Sequence, residues 1–155
     1  MTISARDAHH RVLITLLARL QYWTTDGTLS NAPSIIALTD GEKAQPDIFW
    51  VSESNQRCQH LQEDLWQGAP DLVIEVVAPD TEAQDRGAKF HLYMAEQIFE
   101  YWIVNPVSKF IEVNVLLRGR YQRTGLFEAG ESFSSGVFNG RVFDVNDLLG
   151  IRPEA

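Results

Sequence analysis

The chain has 155 residues, 45% of them hydrophobic, which is enough for one domain (residues 1–155) with a buried core. Against 21 acidic residues stand 13 basic ones, a net charge of −8 that argues against broad, sequence-independent nucleic-acid binding through a basic surface. Cys58 is the single cysteine, so an internal disulfide framework and a cysteine-based zinc site are both excluded.

Residues 1–7 are polar. From Ala8 to Tyr22, Val12, Leu13, Leu16, Leu17 and Leu20 recur at helical spacing, which predicts an amphipathic helix capped by Asp7, with His9 and His10 at its start. Its apolar stretch, Val12 to Leu20, is too short to span a bilayer and is broken by Arg19. With no secretory signal in view, the expectation is a cytoplasmic protein without a membrane partner. Asp26-Gly27 reads as a turn, and Leu29 to Leu38 as a strand pair or one bent strand, broken at Asn31-Ala32-Pro33. Asp40-Gly41 is a hairpin turn leading to a strand at Ile48–Val51, which Pro46-Asp47 opens. Ser52 to Gly68 is polar and rich in Gln, and reads as a long loop or a partly helical excursion.

Leu72 to Val77 is apolar and rich in β-branched residues between Pro70 and Pro79, so it reads as a buried strand. Asp80-Thr81 can cap a helix running to about Glu96, with Ala88, Leu92 and Ala95 as its packing face. Phe99 to Val104 is the next strand, parallel to the previous one after a right-handed crossover. Glu100 reads as a solvent-facing strand entry or as a carboxylate supporting a site. Phe110–Leu117 and Tyr121–Phe127 form a hairpin around Arg118-Gly119-Arg120. Glu131 to Phe138 is turn-rich, and Arg141 to Leu149 is a short strand ending in a turn of helix.

Glu75 stands at the centre of its apolar strand, on the same side as Asp71, Val73 and Val77. An ionised carboxylate there costs roughly several kcal/mol unless it is paired or bound to a metal. The next helix offers Lys89, one of three lysines with Lys43 and Lys109, and Asp85, Lys89 and Tyr93 form one stripe four residues apart. Two carboxylates on neighbouring strands, Asp47 and Glu75, can hold a hard cation such as Mg²⁺, and a nearby lysine can orient water or offset charge on a phosphate. Each member also has a structural reading. Pro-Asp is a common turn pair at Asp47 and Asp71, Asp85 and Lys89 can pair at the surface, and Tyr93 can sit at the core edge. For an acidic chain to bind DNA, the cleft must be locally basic. Arg118, Arg120, Arg123 and Arg141 are the candidates, unless they are simply a solvated hairpin edge.

Pro46-Asp47, Gly68 to Val76, Pro79, Thr81, Asp85, Lys89, Tyr93 and Glu100 to Val104 with Pro106 together resemble the Uma2 family, formerly a domain of unknown function. That family lies within the PD-(D/E)XK restriction-endonuclease-like superfamily, and the similarity runs from about His10 to Leu149. The resemblance implies an α/β fold with a restriction-endonuclease-like mixed central sheet flanked by helices. It implies a Mg²⁺-dependent endodeoxyribonuclease, with Mn²⁺ as a substitute and DNA as substrate. On that basis Asp47 and Glu75 are the metal carboxylates, the Val76 carbonyl completes the shell, and Asp47, Glu75 and Lys89 are catalytic. The superfamily places its lysine two residues after the glutamate, where this chain has Val77, so Lys89 takes that role from the following helix. His10 matches a histidine at the start of the family's first helix and joins Asp71 and Tyr93 as a supporting residue. A Glu-bearing strand usually precedes that helix, and Asp7 is the nearest acidic residue here. An uncovered sheet edge would suit a homodimer. The alternatives are a catalytically inactive interaction or DNA-associated module on the same fold, and a small-molecule or nucleotide-binding protein using the same cleft.

Overall fold

The structure, a computed structural model, describes residues 4–78 and 85–152. Helix α1 (Ala5–Trp23) begins at Ser4, whose Oγ accepts from the Asp7 amide at 3.2 Å. The cap is therefore Ser4 and not Asp7, which lies in the first turn, where its charge suits the helix dipole. Val12, Leu16 and Leu20 are buried on one stripe, as their spacing requires.

The central sheet has six strands in the order β1 (Gly27–Asn31), β4 (Ile48–Ser52), β7 (Leu72–Val76), β8 (Glu100–Asn105), β9 (Phe110–Leu117) and β10 (Arg120–Glu128). Only β7 and β8 run parallel, as the crossover between them dictates; the other pairs are antiparallel, so the sheet is mixed. A second sheet has the order β3 (Lys43–Ala44), β2 (Ile35–Ala37), β6 (Leu65–Gly68), β5 (Cys58–Gln62). Residues 52–68, expected to be a loop or partly helical, thus supply a β-hairpin instead. Its polar residues are the solvent face of an outer strand: four of the five residues of β5 are exposed, while Cys58 is buried. Gly68, at φ +101°, closes this hairpin against the Arg57 carbonyl oxygen, with which any Cβ would collide. A third pairing, β11 (Ser132–Ser135) with β12 (Arg141–Asp144), gives strand to part of the segment that reads as turns, and α3 (Val145–Leu149) follows it.

Strand alternation divides the core in two. Ile48, Trp50, Leu72, Ile74, Val76, Trp102, Val104, Ile111 and Val113 face α1, α3 and the β11–β12 ribbon. Phe49, Val73, Val77, Tyr101 and Ile103 face the second sheet and the helix after β7. That helix is described from a single π-helical turn, Asp85–Lys89, which runs into α2 (Phe90–Ala95). Residues 79–84, including the expected Asp80-Thr81 cap, lie outside the described residues. The wide turn shifts the helix phase. Ala88 and Ala95, expected to pack, are exposed, and Tyr93 is the residue turned to the core, 1% accessible. Among the described residues no helix is long and apolar enough to cross a membrane.

Candidate active site

Glu75 lies fourth in the five-residue strand β7 and is 2% accessible, so its charge has to be met inside the protein. Among the described residues, two side chains of the segment over the sheet meet it. Tyr93 Oη donates to Glu75 Oε1 at 2.8 Å, and Lys89 Nζ lies 3.2 Å from Oε2. Lys89 and Tyr93 are one turn apart, so a single helical stripe grips both oxygens. The Tyr93 ring is held edge-on against Tyr101, centroids 5.0 Å apart, which fixes the phenol over the strand. The Lys89 side chain remains 32% accessible, so this cation reaches solvent while its partner does not.

Asp47 arrives from the neighbouring strand. Ile48 pairs with Ile74 in the β4–β7 ladder, so continuing the register sets Asp47 opposite Glu75. Its Oδ2 accepts the Val76 amide at 2.7 Å, pinning the carboxylate to the end of β7, and its side chain is 24% accessible. His9 Nε2 of α1 stands 3.9 Å from the same oxygen. His10, the histidine assigned by resemblance, is exposed on the next position of the helix. Sequence alone had no means of choosing between adjacent histidines, since their faces depend on how α1 lies across the sheet.

Asp71 shares a strand side with Glu75 but sits at the far end of β7. There it accepts from the Ser52 amide at 2.8 Å and from Asn55 Nδ2 at 2.7 Å. Glu100 is 1% accessible, not solvent-facing. It accepts from Trp102 Nε1 (2.9 Å), Ser135 Oγ (2.8 Å) and the amides of Gly136 (2.8 Å) and Val137 (3.3 Å). A carboxylate at a strand entry was drawn inward by donors from the β11 region, more than 30 positions along the chain. The structure therefore joins Glu75, Lys89 and Tyr93, sets Asp47 with His9 at the next position of the adjoining chain, and leaves Asp71 at the opposite end of the strand.

A charged cluster beside this group escaped the sequence reading. Glu112, buried within β9, accepts from Arg86 Nη1 at 2.8 Å, with Arg123 Nη1 at 3.5 Å. The signal was present, since Ile111-Glu112-Val113 repeats the apolar–Glu–apolar pattern of Ile74-Glu75-Val76. Burial pushes the Glu112 pKa up, but hydrogen bonds from Arg86 and Asn114 and the charges of Arg86 and Arg123 outweigh it. The net shift is below the ordinary carboxylate value. Among the described residues no three His, Cys, Asp or Glu side chains gather as a metal cage. Mg²⁺ does not require one, because one or two carboxylates suffice when water and substrate phosphate supply the remaining oxygens. Asp47 and Glu75 fit that donor chemistry.

A mixed sheet carrying such carboxylates near the end of a central strand, with a lysine returned over it by the following helix, defines an α/β protein of nuclease-like fold. The Uma2 family model, described as "putative restriction endonuclease", matches residues 1–146, and the chain belongs to that family. Among solved structures it is similar to a crystal structure described as a "putative nuclease belonging to DUF820" from Anabaena variabilis ATCC 29413. The two superpose with a TM-score of 0.67 at 15% identity, over 97% of this chain and 83% of that one. No curated protein matches.

Proposed function

We propose that this protein is a Mg²⁺-dependent endodeoxyribonuclease, able to use Mn²⁺, in which Asp47 and Glu75 hold the ion and Lys89 serves the attacking water. The supporting observations are the Asp47 carboxylate held on the Val76 amide at 2.7 Å, next along the chain from Glu75, and Lys89 Nζ 3.2 Å from Glu75 Oε2. When bound, the ion supplies Lewis acidity toward the phosphate and a water of lowered pKa. The protein's part is positional. The Val76 amide and the Tyr93 phenol hold the two carboxylates in place before substrate arrives. Lys89, anchored at Glu75 yet reaching solvent, orients the attacking water or offsets the charge that builds on the phosphate oxygens. His9 stands beside Asp47, its Nε2 3.9 Å from Asp47 Oδ2. Family membership favours DNA as the polymer cut.

The test is nicking of supercoiled plasmid in Mg²⁺ and in Mn²⁺. Wild type nicks, and Glu75→Gln and Lys89→Ala each lower the rate by about 100-fold or more. Nicking that survives both substitutions excludes this site. A second reading, an inactive interaction module on the same fold, draws on one observation: both oxygens of Glu75 already have partners within the protein. It predicts no nicking and no Glu75-dependent binding of Mn²⁺ by calorimetry.

A further inference from the structure

Glu75 and Glu112 lie in one row across the central sheet. Ile103 of β8 pairs with Glu75 on one side and with Glu112 of β9 on the other. The two carboxylates therefore rise from the same face, two strands apart, or about 9.5 Å at the usual strand spacing. The π-helical turn Asp85–Lys89 reaches both. Arg86 Nη1 donates to Glu112 Oε1 at 2.8 Å, and three residues on, Lys89 Nζ lies 3.2 Å from Glu75 Oε2.

The two ends of this segment are held differently. At its C-terminal end Tyr93 and Ile98 are buried. Glu96 accepts from Thr39 Oγ1 at 2.9 Å, and the Ile98 carbonyl accepts from Tyr121 Oη at 2.8 Å. The N-terminal end lacks such packing. Arg86 and Ala88 are exposed, and Gly87 and Lys89 are half-buried. This turn offers the core no large apolar side chain, so polar contacts have to seat it.

Glu112 is a firm point of attachment. It is buried in β9, and its Oε2 accepts from Asn114 Nδ2 at 3.3 Å. The same amide donates to the Tyr101 carbonyl at 3.2 Å, which ties the carboxylate to the neighbouring strand. Burial pushes its pKa up, but the donors Arg86 and Asn114 and the nearby guanidinium charges bring it below the ordinary value, so it is charged at neutral pH. The lysine stem is flexible, so where its ammonium dwells depends on where the backbone beneath it is held.

We propose that Glu112 is a positioning residue: by holding Arg86 it seats the π-helical turn so that Lys89 stands at Glu75 for the reaction. Its consequence for cleavage rests on the endonuclease reading, since a misplacement of about 1 Å in an aligned group can cost roughly 100-fold in rate.

Competitive acylation of the folded protein by a limiting amount of acetic anhydride, followed by peptide mass spectrometry, reads the seating without any activity. The chain has three lysines, and Lys43 and Lys109, both exposed, serve as internal references. In wild type Lys89 should react more slowly than either. Glu112→Gln and Arg86→Gln should each raise acylation of Lys89 severalfold, up to about tenfold, the worth of one charge-assisted hydrogen bond. Lys43 and Lys109 should not change. The double variant should add nothing to the single ones, because both act through one contact. Arg123→Gln takes a second guanidinium from Glu112 Oε1, at 3.5 Å, but Arg123 lies on β10 and not on the turn, so Lys89 should react as in wild type. That variant separates seating from a general loosening around Glu112, and thermal melts check that each protein is folded. In Mg²⁺, Glu112→Gln should lower kcat for plasmid nicking with KM unchanged, because the buried carboxylate does not touch the polymer. Unaltered acylation of Lys89 in Glu112→Gln, an equal rise in Arg123→Gln or at all three lysines, or an unchanged kcat in an active enzyme overturns the proposal. A selective rise at Lys89 in a protein that never nicks upholds the seating and removes the endonuclease reading. Glu75-dependent nicking with unaltered acylation does the reverse.

Discussion

The two ends of β7 place similar groups in different company. Asp71 and Glu75 lie on the same side of one strand, 8% and 2% accessible. Asp71 is held by a backbone amide and a side-chain amide, both neutral and both set by the local chain at Ser52 and Asn55. Glu75 is held by a phenol and an ammonium group from a helical segment that crosses the sheet. Neutral amides fixed in the fold lock a carboxylate in place, and Glu100, with four neutral donors, is the fullest case. A cation reaching solvent on a flexible stem can instead turn toward an incoming phosphate without dismantling the strand. Burial alone does not distinguish the two carboxylates; the kind of donor around each separates the two ends.

That contrast can be broken most severely at Glu100. Glu100→Ala leaves the Trp102 indole, the Ser135 hydroxyl and two amides without their acceptor, and should cost about 3–5 kcal/mol by urea unfolding. The nicking rate per folded molecule should stay as in wild type, because none of these donors touches the Asp47–Glu75 pair. At Asp71 the expected cost is smaller. Asp71→Ala should lose about 2 kcal/mol, for two donors left unpaired. Asp71→Asn keeps an acceptor oxygen and should recover most of that stability. The amide swap at Glu75 should do the opposite, keeping the fold and losing the nicking. If Asp71→Asn abolished nicking while melting like wild type, the two ends of β7 would not be functionally distinct.

Much of this arrangement was legible in the chain. The strand of Glu75, its parallel partner Phe99–Val104 and the hairpin around Arg118-Gly119-Arg120 followed from β-branched runs bounded by turn residues. Those signals are local, and the tertiary fold had no reason to override them. Lys89 and Tyr93 were legible as one stripe because four residues make about a turn. What was not legible depended on distant partners. The hairpin at Cys58–Gly68 looks like a loop because its outer face is solvated, and only pairing with β2 reveals it as sheet. Glu100 looks exposed until Ser135 and Gly136 are folded against it. The phase of the helix over the sheet was lost at the π-helical turn, where an expected four-residue rhythm slips and puts Tyr93, not Ala88 and Ala95, inside.

Glu112 offers the smallest and most specific test, since it combines both kinds of surroundings. It is buried like Glu100, but its partners include two arginines that reach solvent. Its folded-state pKa lies below the ordinary carboxylate value, because the arginines and Asn114 outweigh the cost of burial. The unfolded chain therefore binds this proton more readily than the folded one. The stability contributed is fully present above the ordinary carboxylate pKa and is lost as pH falls through the depressed folded value. Glu112→Gln removes that contribution. At neutral pH it should destabilise the fold by about 1 kcal/mol, since both arginines are partly exposed and screened. In acid, below the depressed pKa, wild type and variant should converge. Unfolding in urea across the acid range reads this directly: the gap between the two proteins should narrow as pH falls. A gap of constant size at all pH values would mean that Glu112 acts by packing alone. Its arginines would then owe their positions to something other than its charge.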